Sequence, residues 1–156
     1  FMDRAPVPEA TNIRRGIADT LAVLGTKIGD KAVIPEVRVA DDLPRVLAFG
    51  GELNQVWLNL LDNALDAVAP GGHVVISAAH ELARVVVRVI DDGTGIPRDI
   101  QGRIFDPFFT TKSVGQGTGL GLDIVRRLVQ RHDGEIDVTS EPGHTEFRVS
   151  LPAAPA

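Results

Sequence analysis

The sequence contains no cysteine, no excess of basic residues and no long apolar run. Without cysteine, disulfides and thiolate metal sites are excluded, and a reducing compartment is permitted. There are 21 Asp and Glu against 16 Lys and Arg, so no basic stripe is available to neutralise a nucleic-acid backbone. No apolar run reaches bilayer-spanning length, and we therefore expect the segment itself to lie outside the membrane.

The residues that are present fit one globular domain. The chain has 156 residues, of which 44% are hydrophobic and 24% charged, enough for a sizeable core. It begins with Phe1 and not with Met, so we expect a piece of a longer protein. Residues 1–10, with Pro6 and Pro8, are predicted to be a linker, residues 11–151 the domain, and residues 152–156 a dispensable tail.

Hydrophobic periodicity predicts alternating helices and short strands. A first helix is expected from Thr11, as N-cap, to residue 28, and a longer central helix over residues 52–68. Residues 73–79 and 85–90 should form an antiparallel pair. A short turn is predicted at 98–104 and a last helix from 118 to about 131. Four further strands are predicted, the first two at the domain rim, over residues 37–39, 46–49, 135–139 and 145–151.

A glycine-rich stretch, residues 115–122, opens the last predicted helix. Glycines let the backbone approach a ligand, and the unpaired N–H groups of a helix start attract phosphate. The spacing does not match the dinucleotide fingerprint, and no Lys-Ser/Thr follows as a P-loop requires. The stretch therefore predicts phosphate binding by another route, with an ordinary flexible loop as the alternative.

Amides and carboxylates line one side of the central helix. Asn59 and Asn63 are four residues apart and leave the same face, with Gln55, Asp62 and Asp66 on or near it. An amide oxygen combined with phosphate oxygens and waters suits octahedral Mg²⁺. The alternative is a solvated helix face.

Two loop segments also carry candidate residues. Asp91 ends a predicted strand just before Gly93 and Gly95, where its carboxylate can accept a hydrogen bond from a ligand amine. The alternative there is an Asx turn. Residues 105–112 hold three phenylalanines that are expected to anchor a long loop on the core, while Lys112 faces an anionic ligand.

None of the histidines forms a metal-ligating pattern. No two of them have metal-ligand spacing, and each is expected to be a surface residue. The four are His73, His80, His132 and His144.

Taken in order, these stretches resemble the catalytic ATP-binding domain of sensor histidine kinases, within the wider group of gyrase-type, Hsp90-type and MutL-type ATPases. The resemblance covers nearly the whole chain. Residues 59–64 resemble the N box, 91–95 the first glycine box, 105–109 the F box and 117–122 the second glycine box. Residues 143–147 resemble the last glycine-threonine motif, with His144 where a second glycine is common.

The resemblance implies an α+β fold, a two-layer sandwich of a mixed, mainly antiparallel sheet on three helices, with ATP under a lid. It implies ATP and Mg²⁺ as cofactors, with Asn63 as the metal ligand. Asn59 and Lys112 are the candidate catalytic residues. The candidate nucleotide-binding residues are Asn63, Asp66, Asp91, Gly93, Gly95, Ile96, Phe105, Thr111, Gly117, Thr118, Gly119, Leu120, Gly121, Leu122 and Thr145.

The same resemblance implies transfer of the γ-phosphoryl of ATP to a histidine on a separate dimerisation domain, then to a response regulator. None of the four histidines lies in such an acceptor motif within a helical hairpin. We expect a cytoplasmic location, a parent that is homodimeric and either membrane-anchored or not, and a monomeric chain here. The alternatives are an autonomous gyrase-type ATPase, whose relatives carry glutamate at the position of Asn59, and a nucleotide-binding pseudoenzyme that controls assembly.

Overall fold

The computed structural model describes residues 7–107, 109 and 121–155 of the chain. Most of the predicted second glycine box and part of the predicted lid lie outside the described residues. In chain order the elements are β1 (Glu9–Thr11), α1 (Ile13–Val23), α2 (Gly25–Asp30), β2 (Ile34–Val39), β3 (Val46–Ala48), α3 (Gly50–Ala67), β4 (His73–Glu81), β5 (Arg84–Asp91), α4 (Arg98–Gln101), α5 (Leu122–Arg131), β6 (Glu135–Glu141) and β7 (His144–Pro152).

The larger sheet of the described region has five strands in the order β2-β4-β5-β7-β6. β2 runs parallel to β4, and every other neighbouring pair is antiparallel. β1 and β3 form a separate antiparallel pair, and β2 is an edge strand of the larger sheet, so the strands predicted at residues 37–39 and 46–49 both lie at the rim. The predicted mixed, mainly antiparallel sheet and the antiparallel pairing of β4 with β5 are confirmed.

One face of the sheet is covered by helices. Alternate strand residues such as Ile76 of β4, Val87 and Val89 of β5 and Val149 of β7 are buried in a single core. Helix α3 packs against β5, and α1 and α5 both pack against α3. This arrangement gives the predicted two layers, with α3 at the centre because its apolar side chains meet both the sheet and the other helices.

Helix α3 buries its apolar residues at the spacing of three and four that the sequence indicated. Leu53, Trp57, Leu60 and Ala64 are all at most 3% exposed. The helix starts at Gly50, two residues before the predicted start, with Phe49 as its N-cap. The first turn tolerates glycine better than the helix interior does, so Gly50 and Gly51 begin the helix instead of preceding it.

The first predicted helix is two helices, and its predicted cap was wrong. Asn12, and not Thr11, is the N-cap of α1, and its side chain accepts a hydrogen bond from the Arg15 N–H at 3.1 Å. Thr11 belongs to β1. The helix breaks at Leu24, which ends α1 and caps α2. Glycine is a poor helix former, and Gly25 directly follows the break.

β2 begins three residues earlier than predicted and includes Pro35. Proline cannot donate to a strand ladder, which argues against a central strand. β2 is an edge strand of the larger sheet, and there the missing N–H is tolerated.

Hydrogen-bonded structure extends past the predicted domain bounds at both ends. Glu9 and Ala10 pair with β3, and the Ala154 N–H donates to the Arg45 carbonyl at 2.7 Å. The division into linker, domain and tail stays a prediction. Within the described residues, no helix combines the length and the apolar character needed to cross a bilayer.

His132 is buried, which corrects its prediction as a surface residue. The residue is 7% exposed, and it ends α5 beside the start of α3. The Phe49 N–H donates to His132 Nε2 at 3.1 Å, so the Nδ1–H donates to the Leu128 carbonyl at 2.7 Å. The ring therefore joins the beginning of the central helix to the end of α5.

Replacing His132 by alanine should lower the free energy of unfolding. The Phe49 N–H and the Leu128 carbonyl would each lose a partner in a buried place, at a cost of about 1–3 kcal/mol per group. Urea unfolding monitored by circular dichroism measures the change. The control is His80→Ala, at an exposed residue of β4, which should change stability by less than about 0.5 kcal/mol. Equal stability of the two variants would contradict this role of His132.

Candidate functional site

The polar stripe of the central helix includes one buried amide. Asn59 is 5% exposed, and its Oδ1 accepts a hydrogen bond from Gln55 Nε2 at 2.7 Å, one helical turn away. Asn63 follows a turn later on the same face and is partly buried. Burial of Asn59 in an otherwise apolar stretch of α3 disagrees with the solvated-face interpretation for this residue.

A lysine without any motif signal in the sequence forms ion pairs with two carboxylates of this helix. Lys27 of α2 places its Nζ 2.6 Å from Asp62 Oδ1 and 2.5 Å from Asp66 Oδ1. Burial by itself would lower the pKa of Lys27, but the hydrogen bonds and charges of both aspartates raise it. Asp66, a predicted nucleotide-binding residue, therefore also takes part in an ion pair that joins α2 to α3. Only tertiary structure brings Lys27 to residues 35 and 39 positions away.

Asp91 is a buried carboxylate at the end of β5. It is 4% exposed, and its Oδ1 accepts a hydrogen bond from the Gly93 N–H at 2.9 Å. Burial raises the pKa of Asp91, and the neighbouring charge of Asp92 raises it further. The Gly93 hydrogen bond and the charge of His144 act in the opposite direction. The turn predicted as an alternative is present, but a carboxylate closing an ordinary surface turn has no need to be buried.

The two glycines after Asp91 allow close packing of the loop on other protein backbone. A Cβ on Gly93 would lie 2.4 Å from the Ala67 carbonyl oxygen of α3. Gly95 has a φ of +84°, and a Cβ there would lie 2.6 Å from the Glu141 carbonyl oxygen of β6. Both glycines are also candidate nucleotide-binding residues, and that role stays a prediction. In the described structure they join the loop to α3 and to the β6–β7 hairpin.

The β6–β7 hairpin completes this corner of the site. Thr145 of β7 is 3% exposed and pairs with Asp91 in the register of β5 and β7. Its hydroxyl lies 2.7 Å from Ser140 Oγ, which accepts a hydrogen bond from the Ile96 N–H at 2.8 Å. The structure thus brings together Asp91, Ile96 and Thr145. Ser140 carries no motif signal of its own, because a lone serine on a strand is unremarkable in sequence.

Aromatic residues hold the following segment against the core, as predicted. Phe105 meets Phe147 of β7 edge to face, with ring centroids 6.4 Å apart, and both Phe105 and Phe109 pack on the core. Guanidinium groups lie over both rings, Arg126 over Phe105 at 5.5 Å and Arg103 over Phe109 at 5.2 Å. Phe108, the third aromatic residue, lies outside the described residues.

The second glycine box is described only at its end. Gly121 is the N-cap of α5, and Leu122 is the first residue of that helix and packs on the core. A Cβ on Gly121 would lie 2.7 Å from Asp123 Oδ1. The remaining predicted site residues lie outside the described residues, and these are Thr111, Lys112, Gly117, Thr118, Gly119 and Leu120.

Polar side chains among the described residues are of the chemical types that bind an adenine nucleotide and its metal. Asp91 offers a buried acceptor, and the amides of Asn59 and Asn63 offer neutral oxygen ligands. Among the residues described, no three His, Cys, Asp or Glu side chains cluster as a metal site. Mg²⁺ commonly takes most of its ligands from phosphate and water.

Comparison with known proteins identifies the family. Residues 50–155 match the family described as histidine kinase-, DNA gyrase B-, and HSP90-like ATPase. The chain is 41% identical over 126 residues to the sensory histidine kinase/phosphatase NtrB of Rhodobacter capsulatus, which covers 72% of this chain and 35% of NtrB. It is 37% identical to the sensor kinase CckA of Brucella abortus, over 93% of this chain and 17% of CckA.

Solved structures agree with this assignment. The catalytic domain of histidine kinase ThkA is similar with a TM-score of 0.85 and 30% identity, over 94% of this chain and 95% of that one. Full-length ShkA in complex with AMPPNP is similar with a TM-score of 0.84 and 30% identity, over 98% of this chain and 32% of that one. ThkA in complex with the response regulator TrrA is similar with a TM-score of 0.81 and 26% identity, over 94% of this chain and 42% of that one.

The chain therefore belongs to the histidine kinase-, DNA gyrase B- and HSP90-like ATPase family, and corresponds to the catalytic ATP-binding domain of sensor histidine kinases. It spans about a third or less of the length of the two curated relatives named above. The expected family and fold are confirmed.

Neutralising the two adjacent aspartates should change stability in opposite directions. The pKa of Asp91 is raised, chiefly by burial, so its ionised form destabilises the fold above that pKa, and Asp91→Asn should raise Tm at pH 7. The pKa of Asp92 is lowered, first by the His73 N–H and then by the His73 ring, so Asp92→Asn should lower Tm. Each 1 kcal/mol shifts Tm by about 2–4 °C in a chain of this size.

Differential scanning calorimetry of the ligand-free protein from pH 4 to pH 8 measures both effects. The gain from Asp91→Asn should shrink as pH falls through the raised pKa of Asp91, whereas the loss from Asp92→Asn should persist across this range, because the lowered pKa of Asp92 lies below the ordinary value of 3.8. A lower Tm for Asp91→Asn at pH 7 would contradict the destabilising burial of that carboxylate.

Proposed function

We propose that this chain binds Mg-ATP through α3, the β5 loop and the β6–β7 hairpin, and supplies its γ-phosphoryl to a histidine on a separate domain for relay to a response regulator. The observation that carries the proposal is the buried carboxylate of Asp91, set between the Gly93 turn and Thr145. Such a group is costly to bury unless a ligand donor meets it. The adenine amine is a donor of that kind.

The carboxylate favours adenine over guanine. Asp91 can accept from the 6-amino group of adenine, whereas the 6-oxygen of guanine is a second acceptor and would be repelled. Ile96 lies beside this position, with its N–H held by Ser140. These groups would orient the base so that the phosphates extend toward α3 and the start of α5.

The amides of α3 would lie beside the metal and the phosphates. Asn63 would supply a metal ligand, and bound Mg²⁺ would neutralise charge on the triphosphate. Asn59, fixed by Gln55, carries an amide and cannot act as a general base. This residue favours phosphoryl transfer to an acceptor over water-activated hydrolysis of the gyrase type. The proposed roles of Lys112 and of the second glycine box remain predictions from the resemblance.

The histidines of the chain support an acceptor elsewhere. His132 is buried with both ring nitrogens bonded, and His73 Nδ1 is 2.9 Å from Asp92 Oδ2. His80 precedes an acidic residue, Glu81, but it lies in strand β4, and Glu81 is bonded to Arg88 at 2.8 Å. We expect the acceptor histidine, and the dimer contact of the parent, on a separate helical domain. We also propose that the 156-residue chain is monomeric and acts in the cytoplasm.

Removing the Asp91 carboxylate should abolish the preference for adenine. Isothermal titration of the wild type should give tighter binding for Mg-ATP than for Mg-GTP. Asp91→Ala should weaken Mg-ATP binding by about 1–3 kcal/mol, or roughly fivefold to 150-fold in Kd, and change Mg-GTP binding little. Asp137→Ala, at an exposed carboxylate of β6, is the control and should leave both affinities unchanged. Equal affinities of the wild type for both nucleotides would refute the assignment of Asp91 to the base.

The chain alone should bind ATP without consuming it. Phosphoryl transfer depends mainly on an attacking group positioned in line, and we identify neither a general base nor an acceptor histidine among the described residues. We expect phosphate release far slower than about 1 per second, the lower end of ordinary turnover, and no labelled protein after incubation with radiolabelled ATP. Turnover at that rate would favour the autonomous ATPase.

A further inference from the structure

A row of three polar side chains crosses the sheet next to the proposed nucleotide site. Asp91 of β5 is paired with Thr145 of β7, and Thr145 is paired with Ser140 of β6. Side chains at directly paired positions of antiparallel strands lie on the same face and within contact distance. Asp91 and Thr145 are buried on the face that the helices cover, and Ser140 is partly buried beside them.

Ser140 makes two hydrogen bonds through its hydroxyl group. Its Oγ accepts from the Ile96 N–H at 2.8 Å and lies 2.7 Å from Thr145 Oγ1. A hydroxyl has one proton to donate. In the described part of the chain, Thr145 Oγ1 is the one acceptor within reach of that proton. This arrangement allows Ser140 to donate to Thr145, which would leave the proton of Thr145 available to another acceptor.

A second residue keeps this arrangement in place. Gln101 of α4 donates through Nε2 to the Ile96 carbonyl at 2.7 Å and to the Ser140 carbonyl at 3.3 Å. The N–H of Ile96 is held by Ser140 and its carbonyl by Gln101, so the peptide groups on both sides of Ile96 are fixed. The Ile96 N–H in turn occupies one of the two acceptor positions of Ser140 Oγ.

We propose that Ser140 is a positioning residue for base selection: by donating to Thr145 it makes the Thr145 hydroxyl a donor beside the acceptor Asp91. This inference rests on the proposed nucleotide site. An acceptor next to a donor matches the edge of adenine, which offers a 6-amino donor next to the N1 acceptor. Guanine presents the reverse pair, a 6-oxygen acceptor and an N1–H donor. Ser140 itself touches no part of the nucleotide and acts through Thr145.

The test is a set of calorimetric titrations of the 156-residue chain with Mg-ATP and Mg-GTP. Ser140→Ala should weaken Mg-ATP binding by about fivefold to tenfold and Mg-GTP binding by less than about twofold. Ser140→Thr, which keeps the hydroxyl, should restore most of the affinity for Mg-ATP. Ser77→Ala is the matched control, since Ser77 lies on the opposite face of β4 from the buried Ile76 and Ala78. It should behave as the wild type.

A double-mutant cycle separates a positioning role from a merely structural one. Thr145→Val removes the hydroxyl through which Ser140 acts, so adding Ser140→Ala to it should change the Mg-ATP affinity by less than about twofold. Thermal unfolding is followed for every variant. If Ser140→Ala is not folded at the titration temperature, Ser140→Cys, which donates and accepts only weakly, replaces it and should show the same selective loss.

Three outcomes would overturn the inference. These are wild-type affinity of Ser140→Ala, an equal loss for both nucleotides, and an undiminished loss in the Thr145→Val background. In each of them the wild type and Ser77→Ala still bind Mg-ATP in preference to Mg-GTP, so the proposed function stands. Absence of Mg-ATP binding by the folded wild type would instead refute the proposed function, and the role of Ser140 with it.

Discussion

The burial of one carboxylate is the constraint on which this site depends. Asp91 ends β5 at 4% exposure, and the described hydrogen bond to its side chain comes from the Gly93 N–H. Burial raises the pKa of Asp91, which means that ionisation of this carboxylate destabilises the fold. A group of this kind is retained where a ligand uses it, so stability and binding oppose each other at this position.

The surrounding backbone keeps that carboxylate in place. Gly93 packs on the Ala67 carbonyl and Gly95 on the Glu141 carbonyl, at distances that leave no room for a Cβ. The Gly143 N–H also donates to the Gly93 carbonyl at 2.9 Å. The loop after β5 is thereby joined to the central helix on one side and to the β6–β7 hairpin on the other. The residues that would receive the base and the helix that would hold the metal form one packed unit.

The sequence predicted the parts of this unit that repeat along the chain or match a motif. The buried stripe of α3, the β4–β5 pair and the four ordered motifs were predicted from spacing and resemblance. Contacts between distant residues were not, because Lys27, Ser140 and Gln101 carry no local signal and reach their partners only in the folded chain. His132 was assigned to the surface for the same reason, since one of its partners is Phe49, the N-cap of α3, which is 83 positions away. The second glycine box remains a prediction.

Transfer of phosphate to a supplied acceptor tests the central claim most directly. The chain is incubated with Mg²⁺, γ-labelled ATP and the helical acceptor domain of a sensor histidine kinase, and the label is followed by acid and base treatment. The account predicts an acid-labile, base-stable label on the acceptor histidine, abolished by Asn63→Ala or by replacement of that histidine. No label on the acceptor despite demonstrated ATP binding, or equal labelling with Asn63→Ala, would contradict it.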